Sequence, residues 1–303
     1  MADSHDKATA VAPKVTIGMP VYNGQMYLAE TIDSVLAQTF TDFELVICDN
    51  ASTDATGEIC RKYAATDHRI RYFRNETNIG SVLNHRRTLE LARGKYFRWG
   101  SANDLCRPAL LERCVATLDS NPGVAVAFGL TTIIDDDGRD VSEYDRHLHL
   151  VDPKPADRFI RYVKEVGYIN QFAGLVRTDA MRRARPLGDY IASDIVLLAE
   201  LTLQGEFFEI QEPLFKRRMT LTASTQGKSL AQLKVFYNPY KPNRIVLPLW
   251  RQQWELQRAV FRSTIPPGEK QRAAGFVFKC YLWRRRELIR EIGSAFGQSL
   301  GRS

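Results

Sequence analysis

The sequence predicts an α/β fold on a doubly wound, mainly parallel sheet, and three observations carry that reading. Short apolar runs recur at Val15–Met19, Phe43–Cys48, Ile70–Phe73, Tyr96–Trp99 and Val124–Phe128. Stretches with apolar residues at helical spacing separate them, the alternation expected of parallel sheets with crossover helices. Three runs end abruptly at polar, turn-forming residues: Pro20-Val-Tyr-Asn-Gly24, Asp49-Asn-Ala-Ser-Thr-Asp54 and Gly100-Ser-Ala-Asn-Asp104. In open α/β sheets, ligands bind at that end of the strands.

Each element has its own signal. Val15–Met19 is a buried strand, and Tyr27–Gln38 a helix with Leu28, Ile32, Val35 and Leu36 on one face. Phe43–Cys48 is the second strand, followed by a helix over Thr56–Ala65 with Ile59, Cys60 and Tyr63 inward. After the strand Ile70–Phe73, Ser81–Ala92 forms a helix through Val82, Leu89 and Leu91, with Gly94 as its C-terminal cap. Tyr96–Trp99 is a strand, Leu110–Leu118 a helix and Val124–Phe128 a strand. Beyond a turn at Asp135–Gly138 the pattern becomes irregular over residues 139–157. A helix is expected at Arg158–Val166, a strand at Phe172–Val176, a helix at Ser193–Leu203, and short strands at Phe207–Ile210 and Leu214–Phe215 around Pro213.

The domain plan is a loose tail at residues 1–13, a catalytic domain at 14–230 and a basic helical extension at 231–303. The domain divides into a nucleotide-binding half, 14–135, and an acceptor half, 136–230. The net charge of +7 is uneven: residues 231–303 carry 14 Lys/Arg against 4 Asp/Glu, leaving 28 against 31 in residues 1–230. A mildly acidic body with a basic tail argues against a nucleic-acid enzyme and for a tail that touches an anionic surface. Residues 270–296 suit that role, with Ala274, Phe278, Tyr281, Leu282, Leu288, Ile289, Ile292 and Phe296 near one helical face and Arg284, Arg285, Arg286 and Arg290 adjacent. Packing of that helix on the catalytic domain is the other reading.

Several classes are excluded. No run approaches the length of a membrane-spanning helix, and residues 1–14 lack the apolar stretch of a signal peptide. The five cysteines and five histidines show no metal-ligand spacing, and apolar surroundings suggest buried, reduced thiols in a cytoplasmic protein. There is no Gly-x-Gly-x-x-Gly fingerprint, Walker lysine or Gly-x-Ser-x-Gly elbow. A sugar-1-phosphate nucleotidyltransferase stays open as the rival enzyme reading; it would usually carry a Gly-rich basic loop after the first strand, and Asn23-Gly-Gln-Met-Tyr27 is neither.

The polar turns carry the chemistry. Tyr22 is placed to lie against a base, with Asn23 and Gly24 in an amide-rich turn suited to a pyrophosphate or simply to reversing the chain. Asp49 can accept hydrogen bonds from a base or ribose, whereas Asp54 is expected to cap the next helix. Asp104, beside Asn103, can hold a divalent cation bridging two phosphates, or can cap a helix. Asp194 opens an apolar helix as its cap or as a general base.

The order Thr16-Ile-Gly-Met-Pro-Val-Tyr-Asn23, Asp49-Asn-Ala-Ser-Thr-Asp54, Asn75-Glu-Thr-Asn-Ile-Gly80, Ala92-Arg-Gly-Lys-Tyr96 and Asn103-Asp104 resembles family-2 glycosyltransferases of the GT-A fold, of the bacterial polysaccharide and cell-envelope type. The resemblance covers residues 14–225. It implies inverting transfer of a sugar from a nucleotide-sugar donor, usually a UDP-sugar, to a glycan or lipid-linked acceptor, with Mg²⁺ or Mn²⁺ as cofactor. By the same resemblance Pro20, Tyr22 and Asp49 hold base and ribose, and Asn78 and Gly80 form the loop beside the nucleoside. Asp104 binds the cation, Asp194 is the acceptor-side base, and Arg217 or Arg218 meets the diphosphate. Asn103 stands where an aspartate is usual, keeping an oxygen without its charge. A non-catalytic nucleotide-sugar-binding protein is the alternative that Asn103 raises. The implied setting is the cytoplasm, with the extension at the cytoplasmic face of a membrane.

Overall fold

The computed structural model describes residues 12–219, 229–237, 239–240 and 246–300. Most of the expected N-terminal tail and the Phe296 side chain lie outside the described residues. The chain order is β1 (Val15–Val21), α1 (Leu28–Leu36), β2 (Phe43–Asp49), α2 (Thr56–Thr66), β3 (Ile70–Arg74), α3 (Ser81–Glu90) and β4 (Tyr96–Trp99). There follow β5 (Leu105–Cys106), α4 (Leu110–Ser120), β6 (Val124–Ile134), β7 (Asp140–Glu143), α5 (Pro155–Glu165), β8 (Leu175–Arg177), α6 (Thr178–Arg183), α7 (Ser193–Gln204) and β9 (Glu206–Arg218). The last elements are α8 (Leu230–Tyr237), α9 (Pro248–Arg262), α10 (Pro267–Trp283) and α11 (Arg285–Leu300).

One sheet runs β3-β2-β1-β4-β8-β6-β9-β5, with β7 on β6. The first four strands are parallel, as the sequence predicts, and β6 and β9 are parallel to each other. The short β8 lies antiparallel between β4 and β6, so the acceptor half is mixed. Strand alternation divides the core. Val15, Ile17 and Met19 pack on the α1 and α4 side, whereas Phe97 and Trp99 pack with α5 and α7.

Three expectations are corrected. The two short strands around Pro213 are one thirteen-residue strand, because the register shifts beside Pro213 let pairing with β6 continue past a residue without an N–H. Phe172–Val176 divides into a 3₁₀ turn, Asn170–Ala173, and β8. Gly94 does not cap α3, which closes at Leu91; a Cβ on Gly94 would lie 2.5 Å from the Thr16 backbone nitrogen, so close approach to β1 demands glycine.

The basic extension packs on the catalytic domain. Leu256 and Val260 of α9 and Ala273 and Val277 of α10 join the same core as α5 and α7. The chain breaks at Arg284 between α10 and α11, so residues 270–296 are not one helix. Leu288 is buried and Tyr281 packs against the core, whereas Phe278, Leu282, Trp283 and Ile289 are exposed. The single apolar face expected there is therefore split between core and surface. No helix among the described residues is long and apolar enough to cross a membrane.

Candidate active site

The ends of β1 and β2 are tied together turn to turn. Asn23 is left-handed (φ 49°), a conformation Asn tolerates, and its N–H donates to Ser52 Oγ at 3.0 Å. In return Thr53 N–H donates to Asn23 Oδ1 at 2.9 Å, while Gly24 N–H meets Thr56 Oγ1 at 2.9 Å. Asp54 accepts from Thr56 N–H just ahead of α2, but the helix is capped at Ala55 and not by the Asp54 side chain as expected. Tyr22 is left about half exposed on this platform, beside the partly exposed Pro20.

Asp49 is tied to β3 as well as to its own turn. Its side chain is 0% exposed and accepts from Ser52 N–H (2.8 Å), Tyr72 Oη (2.8 Å) and Arg74 (2.6 Å). Burial alone would push its pKa up, but Ser52, Tyr72 and Arg74 hold it below the usual carboxylate range. These partners fix the carboxylate and the turn that follows it. The partners come from β3, where Asp49 pairs in register with Arg74.

The neighbouring Asn50 organises the next loop, a role the sequence reading missed. Asn50 Oδ1 accepts from Asn75 and from Ile79 N–H, both at 2.9 Å, and its amide donates to Asn78 Oδ1 at 2.8 Å. Asn78 Oδ1 also takes the N–H of Gly80, which is left-handed at φ 84°. A Cβ there would lie 2.6 Å from Pro239, so the segment after α8 rests directly on this loop. The polar Asn-rich pattern was the available signal; its cross-strand pairing was not.

At the end of β4, Asp104 and Asn103 are held by Arg218. The Arg218 N–H donates to Asp104 Oδ1 and its Nε to the Asn103 carbonyl, both at 2.9 Å. Its other nitrogens reach the carbonyls of Asp135 (2.8 Å) and Asp136 (2.7 Å) and the Glu30 carboxylate (2.7 Å), and it stacks over Tyr27. These contacts bury the Arg218 side chain and occupy its guanidinium.

Arg217, next along β9, points the other way. It donates to Asn170 Oδ1 at 2.8 Å and lies over the Tyr168 ring. Burial pushes the Asp104 carboxyl above the usual range, opposed by the Arg218 N–H and the charge of Arg217. Burial does the same to Asp194, opposed by the Ile195 N–H, its own N–H and again Arg217. The charge of Arg217 thus acts on both half-buried carboxylates, although 90 residues separate them in sequence. Asp194 sits in the first turn of α7, entered through left-handed Ala192 (φ 67°), and accepts from Ile195 N–H at 2.8 Å. It also raises the pKa of Tyr162 and Tyr237, whose own burial acts first.

Among the described residues no cluster of three or more His, Cys, Asp or Glu forms a metal cage. The Asn103–Asp104 turn offers one half-buried carboxylate and one neutral amide oxygen, which accepts from the Ser101 hydroxyl. That donor set fits a hard cation such as Mg²⁺, which keeps several waters and takes its remaining ligands from substrate phosphates. The cysteines are free thiols; Cys48, Cys60 and Cys114 are pushed up to about 12 by burial and hold no thiolate for chemistry.

A parallel N-terminal half, a mixed second half and carboxylates at the strand ends define a GT-A fold. The chain belongs to glycosyl transferase family 2, whose family model matches residues 16–182. It is 41% identical over 112 residues to EpsE of Bacillus subtilis, named as a glycosyltransferase, covering 36% of this chain and 40% of that one. It is 31% identical over 134 residues to the uncharacterized glycosyltransferase MJ1057 of Methanocaldococcus jannaschii, covering 44% and 46%. The chain thus spans less than half the length of these two relatives. Among solved structures, S. aureus TarS in complex with UDP-GlcNAc superposes with a TM-score of 0.65 at 16% identity, over 93% of this chain and 80% of that one. The mannosyltransferase PcManGT of Pyrobaculum calidifontis, in complex with GDP-Man and Mn²⁺, gives 0.56 at 15% identity, over 94% and 76%.

Proposed function

We propose that this protein transfers a sugar from a nucleotide-sugar donor, a UDP-sugar foremost, to a hydroxyl of a glycan or lipid-linked acceptor, with inversion at the anomeric carbon. The observation that carries this reading is the convergence of Asp104, Asp194 and Arg217. Asp194 takes the proton from the acceptor hydroxyl as its oxygen attacks the anomeric carbon from the face opposite the nucleotide. The bond to the diphosphate breaks as the new one forms, and no covalent enzyme intermediate is needed. Arg217 faces the departing diphosphate. A Mg²⁺ or Mn²⁺ ion held by Asp104, with Asn103 beside it, would supply further positive charge to that leaving group. Pro20, Tyr22, Asn23, Asn78 and Gly80 bound the nucleoside. UDP-GlcNAc in TarS, and GDP-Man with Mn²⁺ in PcManGT, support a nucleotide-sugar and a cation in this fold.

Calorimetry with UDP, GDP, dTDP and their sugar conjugates tests the donor site. One nucleotide is expected to bind with Mn²⁺ and to bind at least ~10-fold more weakly in Asp104→Ala. Binding indifferent to both metal and Asp104 would remove this residue from the donor site, and no binding at all would sink the enzyme reading.

We further propose that the enzyme works in the cytoplasm at an anionic membrane surface, in cell-envelope polysaccharide synthesis. Phe278, Leu282, Trp283 and Ile289 are exposed beside Arg285, Arg286 and Arg290, the composition of an interfacial anchor. Because α10 also supplies core residues, point changes test this better than deletion. Phe278→Ser with Trp283→Ser is expected to abolish flotation with phosphatidylglycerol vesicles. Unchanged flotation would end the membrane proposal.

A further inference from the structure

A cavity adjoins the start of α7, where Ser193, Val196, Leu197 and Glu200 of that helix line it. It measures about 350 Å³, within the range of small-ligand pockets, and lies between α3, the loop before α7, and α9. Its charged walls are Arg86, Arg185, Arg251, Arg258 and Arg262 against Asp189, Glu200 and Glu255. Loop residues Pro186, Gly188, Asp189 and Tyr190, with Ser193 at the start of α7, carry its wall to within one residue of Asp194.

The charges do not cancel. Glu255, 2% exposed in its side chain, draws in Arg185, Arg251 (2.7 Å) and Arg258 (3.4 Å), and Glu200 reaches only Arg185. Arg86 donates to a neutral partner, the Leu187 carbonyl at 2.6 Å. Arg262 makes no ion pair among the described residues, and Arg258 keeps its longer contact at an exposed rim. A separate observation points into the same space. The Ser193 hydroxyl, on a residue only 2% exposed, lines the cavity and has no hydrogen-bond partner. Buried hydroxyls are normally satisfied, so this one is a donor waiting for a ligand oxygen. Forked guanidiniums in excess, with a hydroxyl among them, match the oxygens of a phosphate better than a neutral sugar ring.

We propose that this cavity binds a phosphate group carried by the acceptor. The inference rests on Asp194 as the acceptor-side base, because the shared loop then places the anion beside the attacking hydroxyl. Arg258 and Arg262 hold the phosphate at the rim, Arg86 and Ser193 contact it from within, and Arg185 is fixed by its two glutamates. A phosphate on a soluble sugar and a phosphate on a lipid carrier offer the same group to these residues.

The test is calorimetry on the full chain saturated with UDP, titrated with inorganic phosphate, for wild type and for Arg258→Gln with Arg262→Gln. Both arginines are exposed, so the pair is expected to fold normally and to bind UDP as wild type does. Phosphate binding should weaken by about tenfold in the double variant, equivalent to ~1.4 kcal/mol. A parallel arm measures binding to phosphatidylcholine vesicles with and without phosphatidic acid. Vesicle binding that falls with the same substitutions assigns the phosphate to a lipid, and phosphate binding without a vesicle response assigns it to a soluble acceptor. Phosphate binding that survives both substitutions unchanged, or no binding in wild type, overturns the proposal. Failure of UDP to bind, with the substitution-sensitive phosphate site intact, would instead count against the donor reading.

Discussion

Asp194→Asn is expected to lower sugar transfer by roughly 10²–10⁴-fold, the usual worth of a general base, while leaving donor affinity within twofold. Wild-type transfer should rise with pH as Asp194 ionises, with a midpoint above that of an ordinary aspartate because burial raises its pKa. Asp104 is raised for the same reason and would add to that acid limb, so the two are separated by following metal-dependent donor binding, which reports Asp104 alone. The variant should also be the more stable protein at neutral pH. A buried acid with a raised folded pKa binds its proton more tightly folded than unfolded. It therefore costs stability as pH rises from the unfolded pKa through the folded one, and the cost persists above that. Thermal melts of wild type and Asp194→Asn should accordingly converge in acid and separate at neutral pH. Full transfer activity in the variant would show that the base lies elsewhere, and would favour a metal- and arginine-driven reaction or a binding protein.

The second large effect concerns two adjacent arginines. Arg218→Ala would leave three carbonyls and the Glu30 carboxylate without their donor, and is expected to cost about 3–5 kcal/mol. For a chain of this size that corresponds to a melting temperature lower by roughly 10 °C. Arg218→Lys should recover little, since one ammonium cannot serve Asn103, Asp135, Asp136 and Glu30 together. Arg217→Ala should behave in the opposite way, with stability within ~1 kcal/mol of wild type and transfer reduced about 10²–10³-fold. Stability melts beside steady-state rates decide this. Equal stability losses for both variants would make Arg217 a structural residue as well and would leave the diphosphate without its proposed partner.

Local pattern carried most of the first half of the fold. Apolar runs ending at Pro20, Asp49 and Asn103 report strands and their loops directly, because burial and turn chemistry are written in neighbouring residues. What local pattern could not report was who sits opposite. Asp49 ends a strand, and nothing local announced that β3 would deliver Tyr72 and Arg74 onto it. Asn50 looked incidental, yet it ties Asn75, Asn78 and Ile79 into one loop. Arg217 and Arg218 were indistinguishable as adjacent basic residues until strand alternation sent one inward. Pro213 read as a strand end because proline lacks a donor, and only pairing with β6 shows how the strand passes through it. The C-terminal helices misled for a related reason: apolar residues of a packed extension and of a surface anchor share one spacing.

The alternation along β9 constrains how this family member can change over generations. Adding or deleting one residue between the Pro213 register shift and Arg218 would exchange the faces of the two arginines. A guanidinium would enter the reaction space from the wrong position, and the interior carbonyls would lose theirs. Viable lineages should therefore accept length changes in β9 only in pairs, or upstream where the register shift can absorb them.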